Sequence, residues 1–422
     1  MHVVVVGGGL IGTLSAYFLH RGGLQVTLIE RNADLAAECS FANGAMLHAS
    51  HGEPWNSPAA IRQLLGWMGR EASPMLLRPT RLPYLLGWGV RFLANSTSRR
   101  HREATLANTR LARYSQARME EIRDHADIQY DQARRGIAKV FWDQAALSEA
   151  LSLSRIIEPL GIPFETWSAQ ALVDAEPALG ANARHLAGAI YYPDDETGDP
   201  HLFTTGLGAF CAALGVDLRT GVTARRLVLE RGRVAGVETD QGAIPADTVV
   251  LATGAEAPRL ARDVGIRLPI EPVKGYSVTV DGAGLDELPR LPLIDDHHKV
   301  VLTRLGERLR AAGTAEFTGL DTAINRERIQ LLMHQLGAIL PGLRDPLFAA
   351  PRSEWACLRA MTPDGPPIVG RTRVDNLWVN VGAGHMGWTF AAGMGALLAD
   401  LLTGRSPGLD PEPYRPDRYR GL

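Results

Sequence analysis

The run Val3-Val4-Val5-Val6-Gly7-Gly8-Gly9-Leu10-Ile11-Gly12 decides how this chain of 422 residues is read. Four valines ending in glycine form a short strand that is apolar on both faces, the mark of a buried parallel strand. Gly7, Gly9 and Gly12 fit G-x-G-x-x-G, and Leu10, Leu14, Tyr17 and Phe18 share one face of a helix to about Arg21. Gly22-Gly23 stops that helix, and Gln25 to Ile29 form a second strand ending in Glu30. Each residue type has a physical job. Gly7 permits the tight turn, Gly9 lets backbone N–H groups approach a pyrophosphate, and Gly12 lets helix and strand pack closely. Glu30 lies 18 residues beyond Gly12, where a carboxylate accepts hydrogen bonds from ribose hydroxyls. The pattern predicts a dinucleotide-binding βαβ unit, and the acid favours FAD or NAD over NADP.

The rest of the composition narrows the class. Lys and Arg number 44 against 46 Asp and Glu, a net charge of −2, with 45% hydrophobic and 21% charged residues. That is an ordinary globular composition, with no basic excess to make nucleic acid the main partner. Length suggests about two or three domains. Cys39, Cys211 and Cys357 lie far apart, which predicts neither a metal site nor a disulfide framework and suits a reducing, cytoplasmic compartment. The short apolar run behind Met1 reads as a strand, not a signal peptide. No stretch of about 18 uninterrupted apolar residues is present, so the expectation is a soluble or peripheral protein without a membrane-spanning helix.

Further blocks recur in order. Arg31 follows the acid, then Cys39-Ser40-Phe41-Ala42-Asn43-Gly44-Ala45, continuing through Met46 and Leu47. Gly221-Val222 precedes Val249-Val250-Leu251-Ala252-Thr253-Gly254-Ala255. Near the C-terminus a strand from Leu377 runs into Gly382-Ala383-Gly384-His385-Met386-Gly387-Trp388-Thr389, a Gly-rich turn opening a helix. A helix start of this kind favours negative charge in front of it. These blocks resemble the D-amino-acid-oxidase-like family of flavoenzymes. Asp195 through Asp199, Lys274-Gly275-Tyr276-Ser277 and Trp355 through Gly365 resemble its branch of quinone-reducing D-amino-acid dehydrogenases of the small-subunit type.

The resemblance implies FAD as cofactor, held by the first glycine turn, Glu30, Arg31, Ser40, the stretch from Asn43 to Leu47, Val222, Thr253, Gly254 and the turn from Gly384 to Thr389. It implies that Arg359 grips a substrate carboxylate, for which its planar fork is suited. Tyr276 and His298 are expected in the pocket and Lys274 near the flavin. A D-amino or D-imino acid, of the D-alanine, D-proline or hydroxyproline type, would pass its Cα hydrogen to flavin N5 as hydride. Electrons would leave to quinone or another acceptor. Alternatives are a glycine- or sarcosine-type oxidase, a cyanide-forming glycine dehydrogenase subunit with a partner subunit, and a non-catalytic FAD-binding subunit. The chain departs from the branch at Ala383, where histidine is frequent, and at Met361, where proline is common. Cys357 replaces the usual glycine, and related enzymes carry a flavin-linked cysteine in a similar setting. Non-covalent FAD is therefore expected, with a bond through Cys357 as the alternative.

The expected fold is α/β plus α+β: a Rossmann-like FAD-binding domain with an inserted, largely antiparallel substrate domain. The first would comprise residues 1–53, 145–260 and 351–422; a helical region would fill 54–144 and the substrate domain 265–350. Asp199-Pro200 reads as a helix N-cap and first turn. In residues 54–95, Ile61, Leu64, Leu65, Met68, Leu85, Leu86 and Phe92 alternate with Arg62, Arg70, Arg78, Arg81 and Arg91. This segment packs on the protein's own core or lies in a membrane interface. The location is expected to be cytoplasmic, with the inner face of the cell membrane as the alternative.

Overall fold

The computed structural model describes residues 1–285 and 288–419; the side chains of residues 60–63 and 65, and so of Ile61, Arg62 and Leu65, lie outside the described residues. The N-terminal valines form the strand His2–Val6, buried at the centre of a six-stranded sheet. It pairs in parallel with Gln25–Ile29 on one side and Thr248–Leu251 on the other. Leu377–Val381, Ile368–Arg371 and Asp217–Arg219 complete the sheet. Valine and isoleucine on both faces suit such a position, because helices cover the sheet above and below.

The helix Leu10–Arg21 begins directly at the glycine turn. A Cβ on Gly12 would lie 1.7 Å from the Gly7 carbonyl oxygen, so only glycine lets the helix sit this close to the strand. Gly7 itself has φ +109, in the region that favours glycine. The C-terminal helix Gly387–Thr403 packs beside it, and a Cβ on Gly395 would stand 3.0 Å from the Leu14 backbone. The segment Gly384–Thr403 is long and apolar enough to cross a membrane by length and composition, although His385, Thr389 and Asp400 interrupt its apolar run, and 72% of its apolar window is buried inside the fold. Its apolarity reflects contact on all sides with core, including Leu14, Leu111 and Phe18.

A nine-stranded, mostly antiparallel sheet forms the second layer. Arg352–Met361, Glu271–Asp281, Arg308–Glu316 and Val300–Leu305 lie side by side at one end. At the other end stand Ile137–Phe141, Gly188–Tyr192 and Glu165–Trp167. These three strands fall within the stretches expected to be helical or nucleotide-binding. They join this sheet because Ile137–Phe141 is buried throughout and bridges Leu293–Asp295 and Gly188–Tyr192. The chain returns to the first layer at the helix Pro200–Leu214, capped by Asp199 through the backbone N–H groups of His201 and Leu202.

Residues 54–95 form two helices, Pro58–Trp67 and Leu82–Asn95. Leu85 and Phe92 are buried, Leu85 in a small core with Leu77, Val273 and Phe317. Leu86 and Val90, on the opposite face of the second helix, are 66% and 63% exposed. The helix is apolar on both faces, so only one of them serves the core.

Candidate active site

A continuous cavity of about 1570 Å³ runs between the two sheets. It exceeds the roughly 300–1,000 Å³ of an ordinary small-molecule site. At one end Gly7, Gly9, Leu10 and Ile11 line it together with Glu30, Arg31, Val222, Thr253 and Gly254. The Glu30 carboxylate accepts from Gly8 N at 2.7 Å and from Asn32 N at 2.8 Å, and retains acceptor capacity toward the cavity. Ser40 Oγ accepts from Leu10 N at 2.9 Å, holding the second loop against the helix start. Arg31 is exposed and pairs with Glu38. Thr253 Oγ1 is buried without a hydrogen-bond partner. Gly12 and Leu47 do not line the cavity; Gly12 packs on Gly7, and Leu47 pairs with Glu196 in a short strand.

The loop from Ala42 to His48 is fixed from both layers. Ser277 Oγ donates to the Ala42 carbonyl at 2.6 Å, and Thr303 Oγ1 to the Gly44 carbonyl at 2.8 Å. Thr389, at the start of the last helix, accepts from His48 N at 3.2 Å. With its carbonyls tied back, the loop presents Asn43, Gly44, Ala45 and Met46 to the cavity, opposite Gly384 through Thr389.

Arg359 stands on the strand Arg352–Met361, on the cavity face shared with Cys357 and Trp355. Its Nη1 donates to the Thr314 carbonyl at 3.0 Å, and its guanidinium lies 5.9 Å from the Trp55 ring centre. Among the described residues it makes no ion pair with a carboxylate. Burial presses its pKa down from the ordinary arginine value, the signature of a cation removed from water without an anion.

Alternation along the neighbouring strand sends the other expected residues elsewhere. Lys274 is 2% exposed, and its Nζ meets Asp321 at 2.9 Å and the Ala323 carbonyl at 2.9 Å. It is absent from the cavity wall, so its expected place near the flavin is corrected: its strand neighbours Val273 and Gly275 face the cavity instead. Tyr276 contributes to the wall, but its hydroxyl donates to Glu316 and its ring joins the core under the helix Arg326–Ile339. His298 is likewise outside the wall; its Nδ1 lies 3.0 Å from Asp295 Oδ1 in a local turn.

Three histidines that sequence reading did not bring together, His48, His51 and His385, meet beside Arg359. The His385 ring stacks on Trp55 with centroids 5.4 Å apart, and His51 meets it edge-on at 6.1 Å. His48 Nδ1 and His385 Nε2 are buried without partners. Burial lowers the pKa of all three, that of His48 to about 4, so the imidazoles stand neutral. The only sequence signal was the clustering of His48, His51 and Trp55 within eight positions after the Asn43 loop.

Residues 2–401 match the model of the DAO family, described as FAD dependent oxidoreductase. The chain belongs to that family. A D-amino acid dehydrogenase of Paramagnetospirillum magneticum is 42% identical, covering 99% of each chain. Another, of Methylobacterium radiotolerans, is 40% identical over 99% of this chain and 100% of its own. In fold the protein is similar to an L-proline dehydrogenase from P. horikoshii, with a TM-score of 0.78 at 20% identity over 99% and 97% of the two chains. It is also similar to a glycine oxidase from Geobacillus kaustophilus, with a TM-score of 0.76 at 22% identity over 99% of each.

As a DAO-family enzyme the protein is an FAD-dependent oxidoreductase, and its cavity fits that cofactor. Gly7 and Gly9 line the cavity where the helix Leu10–Arg21 begins, which suits a pyrophosphate at a helix N-terminus. The unpartnered Thr253 hydroxyl and His385 Nε2 are buried polar atoms that a dinucleotide can satisfy.

Proposed function

We propose that the protein oxidises the Cα–N bond of D-amino or D-imino acids, of the D-alanine, D-proline or hydroxyproline type. The product is an imino acid, which water hydrolyses to the 2-oxo acid. One observation carries the reading: the guanidinium of Arg359 lines the FAD cavity and, among the described residues, donates to the Thr314 carbonyl and forms no ion pair with a carboxylate. Such a cation seeks an anion with two oxygens, and a planar fork binds a carboxylate through two parallel bonds. The relatives named D-amino acid dehydrogenase support the substrate class.

FAD, when bound, supplies the acceptor for a hydride and its electron pair. The chain supplies position. Arg359 anchors the substrate carboxylate, Trp55 packs against the guanidinium, and the neutral imidazoles of His51 and His385 add no competing cation there. The glycine turn, Glu30, Ser40, the Asn43–Met46 loop, Val222, Thr253 and the Gly384–Thr389 turn are the residues we assign to holding FAD. Binding is non-covalent in this reading, because the Cys357 thiol is engaged by Cys39. Flavin released completely on acid precipitation supports that; flavin retained on the protein contradicts it.

For the electron acceptor the reading is a lipophilic quinone at the membrane surface, in a reducing cytoplasm. The cavity continues past Trp55 along Leu64, Trp67, Leu85, Trp88 and Phe92 toward the helix whose outer face exposes Leu86 and Val90. Arg91 lies on this helix, Arg81 precedes it, and Arg70 and Arg78 fall in the segment before it, cations of the kind an anionic lipid surface attracts. Flotation with phosphatidylglycerol vesicles and turnover of D-alanine with a short-chain ubiquinone test the reading. No flotation at low salt contradicts the membrane contact, and no quinone-dependent turnover contradicts the acceptor.

A further inference from the structure

Two of the three cysteines meet across 318 positions of sequence. Cys39 precedes Ser40 in the loop held against the helix start, and Cys357 stands on the strand of Arg359. Their Sγ atoms are 2.6 Å apart, closer than ordinary contact between unbonded atoms. Cys39 Sγ also lies 2.7 Å from the Leu358 carbonyl. Both residues line the cavity; Cys39 is exposed and Cys357 half-buried. The residue across the ladder from Cys357 is Gly275, which places no side chain over the sulfurs. Cys211, by contrast, is buried in the first-layer core.

The direction of the contact matters. The Cys357 thiol donates to the Cys39 sulfur, and the Cys39 thiol donates to the Leu358 carbonyl. The Cys39 sulfur and burial hold the Cys357 thiol protonated, with its pKa pushed well up. One sulfur is thus accessible for attack, and the second waits beside it as the resolving thiol.

We propose that Cys39 and Cys357 form a reactive dithiol that closes to a disulfide within the cavity when it meets a low-molecular-weight disulfide, such as oxidised glutathione. Cys39 gives its thiol proton to water and attacks one sulfur of the small disulfide, forming a mixed disulfide and releasing one thiol. Cys357 then gives its proton to water and attacks the Cys39 sulfur, releasing the second thiol. Two protein thiols are oxidised and one small disulfide is reduced to two thiols, so atoms and electrons balance. The bond ties the loop of Ser40 to the strand of Arg359, joining the cofactor cradle to the carboxylate anchor. It rests on the sulfur geometry and is independent of the substrate assignment.

The test is thiol counting and peptide mapping of the FAD-loaded wild-type protein before and after oxidised glutathione. The expected result is a fall in free thiols from three to one, a mass loss of about 2 Da, and a non-reduced peptide joining Cys39 to Cys357. The Cys211→Ser protein still forms this link, and Cys39→Ser does not. Three thiols persisting after treatment overturn the proposal, as do glutathione adducts that never resolve. So does a count of two thiols before any oxidant with flavin attached at Cys357.

Discussion

A Cβ on Gly275 would sit 2.3 Å from Cζ of Arg359, so the guanidinium occupies space that only glycine leaves. The two residues stand on paired antiparallel strands, with Val273 opposite Arg359 and Gly275 opposite Cys357. The obstructed atoms belong to the end of a flexible side chain, which can move without disturbing the sheet. Gly275→Ala is therefore expected to cost little stability while displacing the carboxylate anchor. FAD content and unfolding temperature should stay near wild type, and KM for the amino acid should rise about tenfold or more. An unchanged KM contradicts the positioning.

Arg359→Ala removes the anchor itself. Two charge-assisted hydrogen bonds are worth about 3 kcal/mol together, or on the order of a hundredfold in kcat/KM. The loss should fall mainly on KM, with the flavin spectrum of the protein retained. Arg359→Lys keeps the charge and loses the fork, and should recover only part of the activity. Steady-state kinetics over a wide substrate range check both.

Gly12→Ala meets a different obstacle. Its Cβ would stand 1.7 Å from the Gly7 carbonyl oxygen, and both partners are backbone at the start of a buried helix. The helix must shift, at a cost of about 1–3 kcal/mol. The variant should purify with FAD far below one per chain and unfold at lower temperature. Full FAD occupancy contradicts the cradle.

His48 makes acid stability measurable. Its folded pKa of about 4 lies below the ordinary value of 6.5 because burial disfavours the imidazolium. Between those values the unfolded chain binds a proton that the folded chain does not. Stability is thus full above pH 6.5 and falls as pH drops toward 4, by about 1.4 kcal/mol per pH unit for this group. Asp195, pushed up to about 7 by burial, acts in the opposite sense, so the comparison is wild type against His48→Gln. Denaturant unfolding across this window should show a shallower acid decline in the variant.

Local chemistry was legible in the sequence where neighbours in the chain are neighbours in space. Gly7 through Gly12, the Asp199 cap and the turn at Gly384 each function within a few residues of themselves, and Glu30 ends the strand next in the chain. Side-chain direction in the second sheet was not. Lys274, Gly275 and Tyr276 alternate across a strand, and a motif alone does not say which parity faces the cofactor. The register to Arg352–Met361 does, and it favours Gly275. The strands Ile137–Phe141 and Gly188–Tyr192 join that sheet through pairings far apart in sequence, which local patterns do not encode. The same holds for the meeting of His48 and His51 with His385, and of Cys39 with Cys357.

The most direct measurement is anaerobic flavin absorbance of the purified protein, mixed in turn with D-alanine, D-proline and their L-forms. The account predicts bleaching of the flavin band by a D-isomer, little by its L-counterpart, and recovery of colour when a quinone is added. Flavin that remains fully oxidised with every D-substrate, or bleaches only with the L-forms, contradicts it.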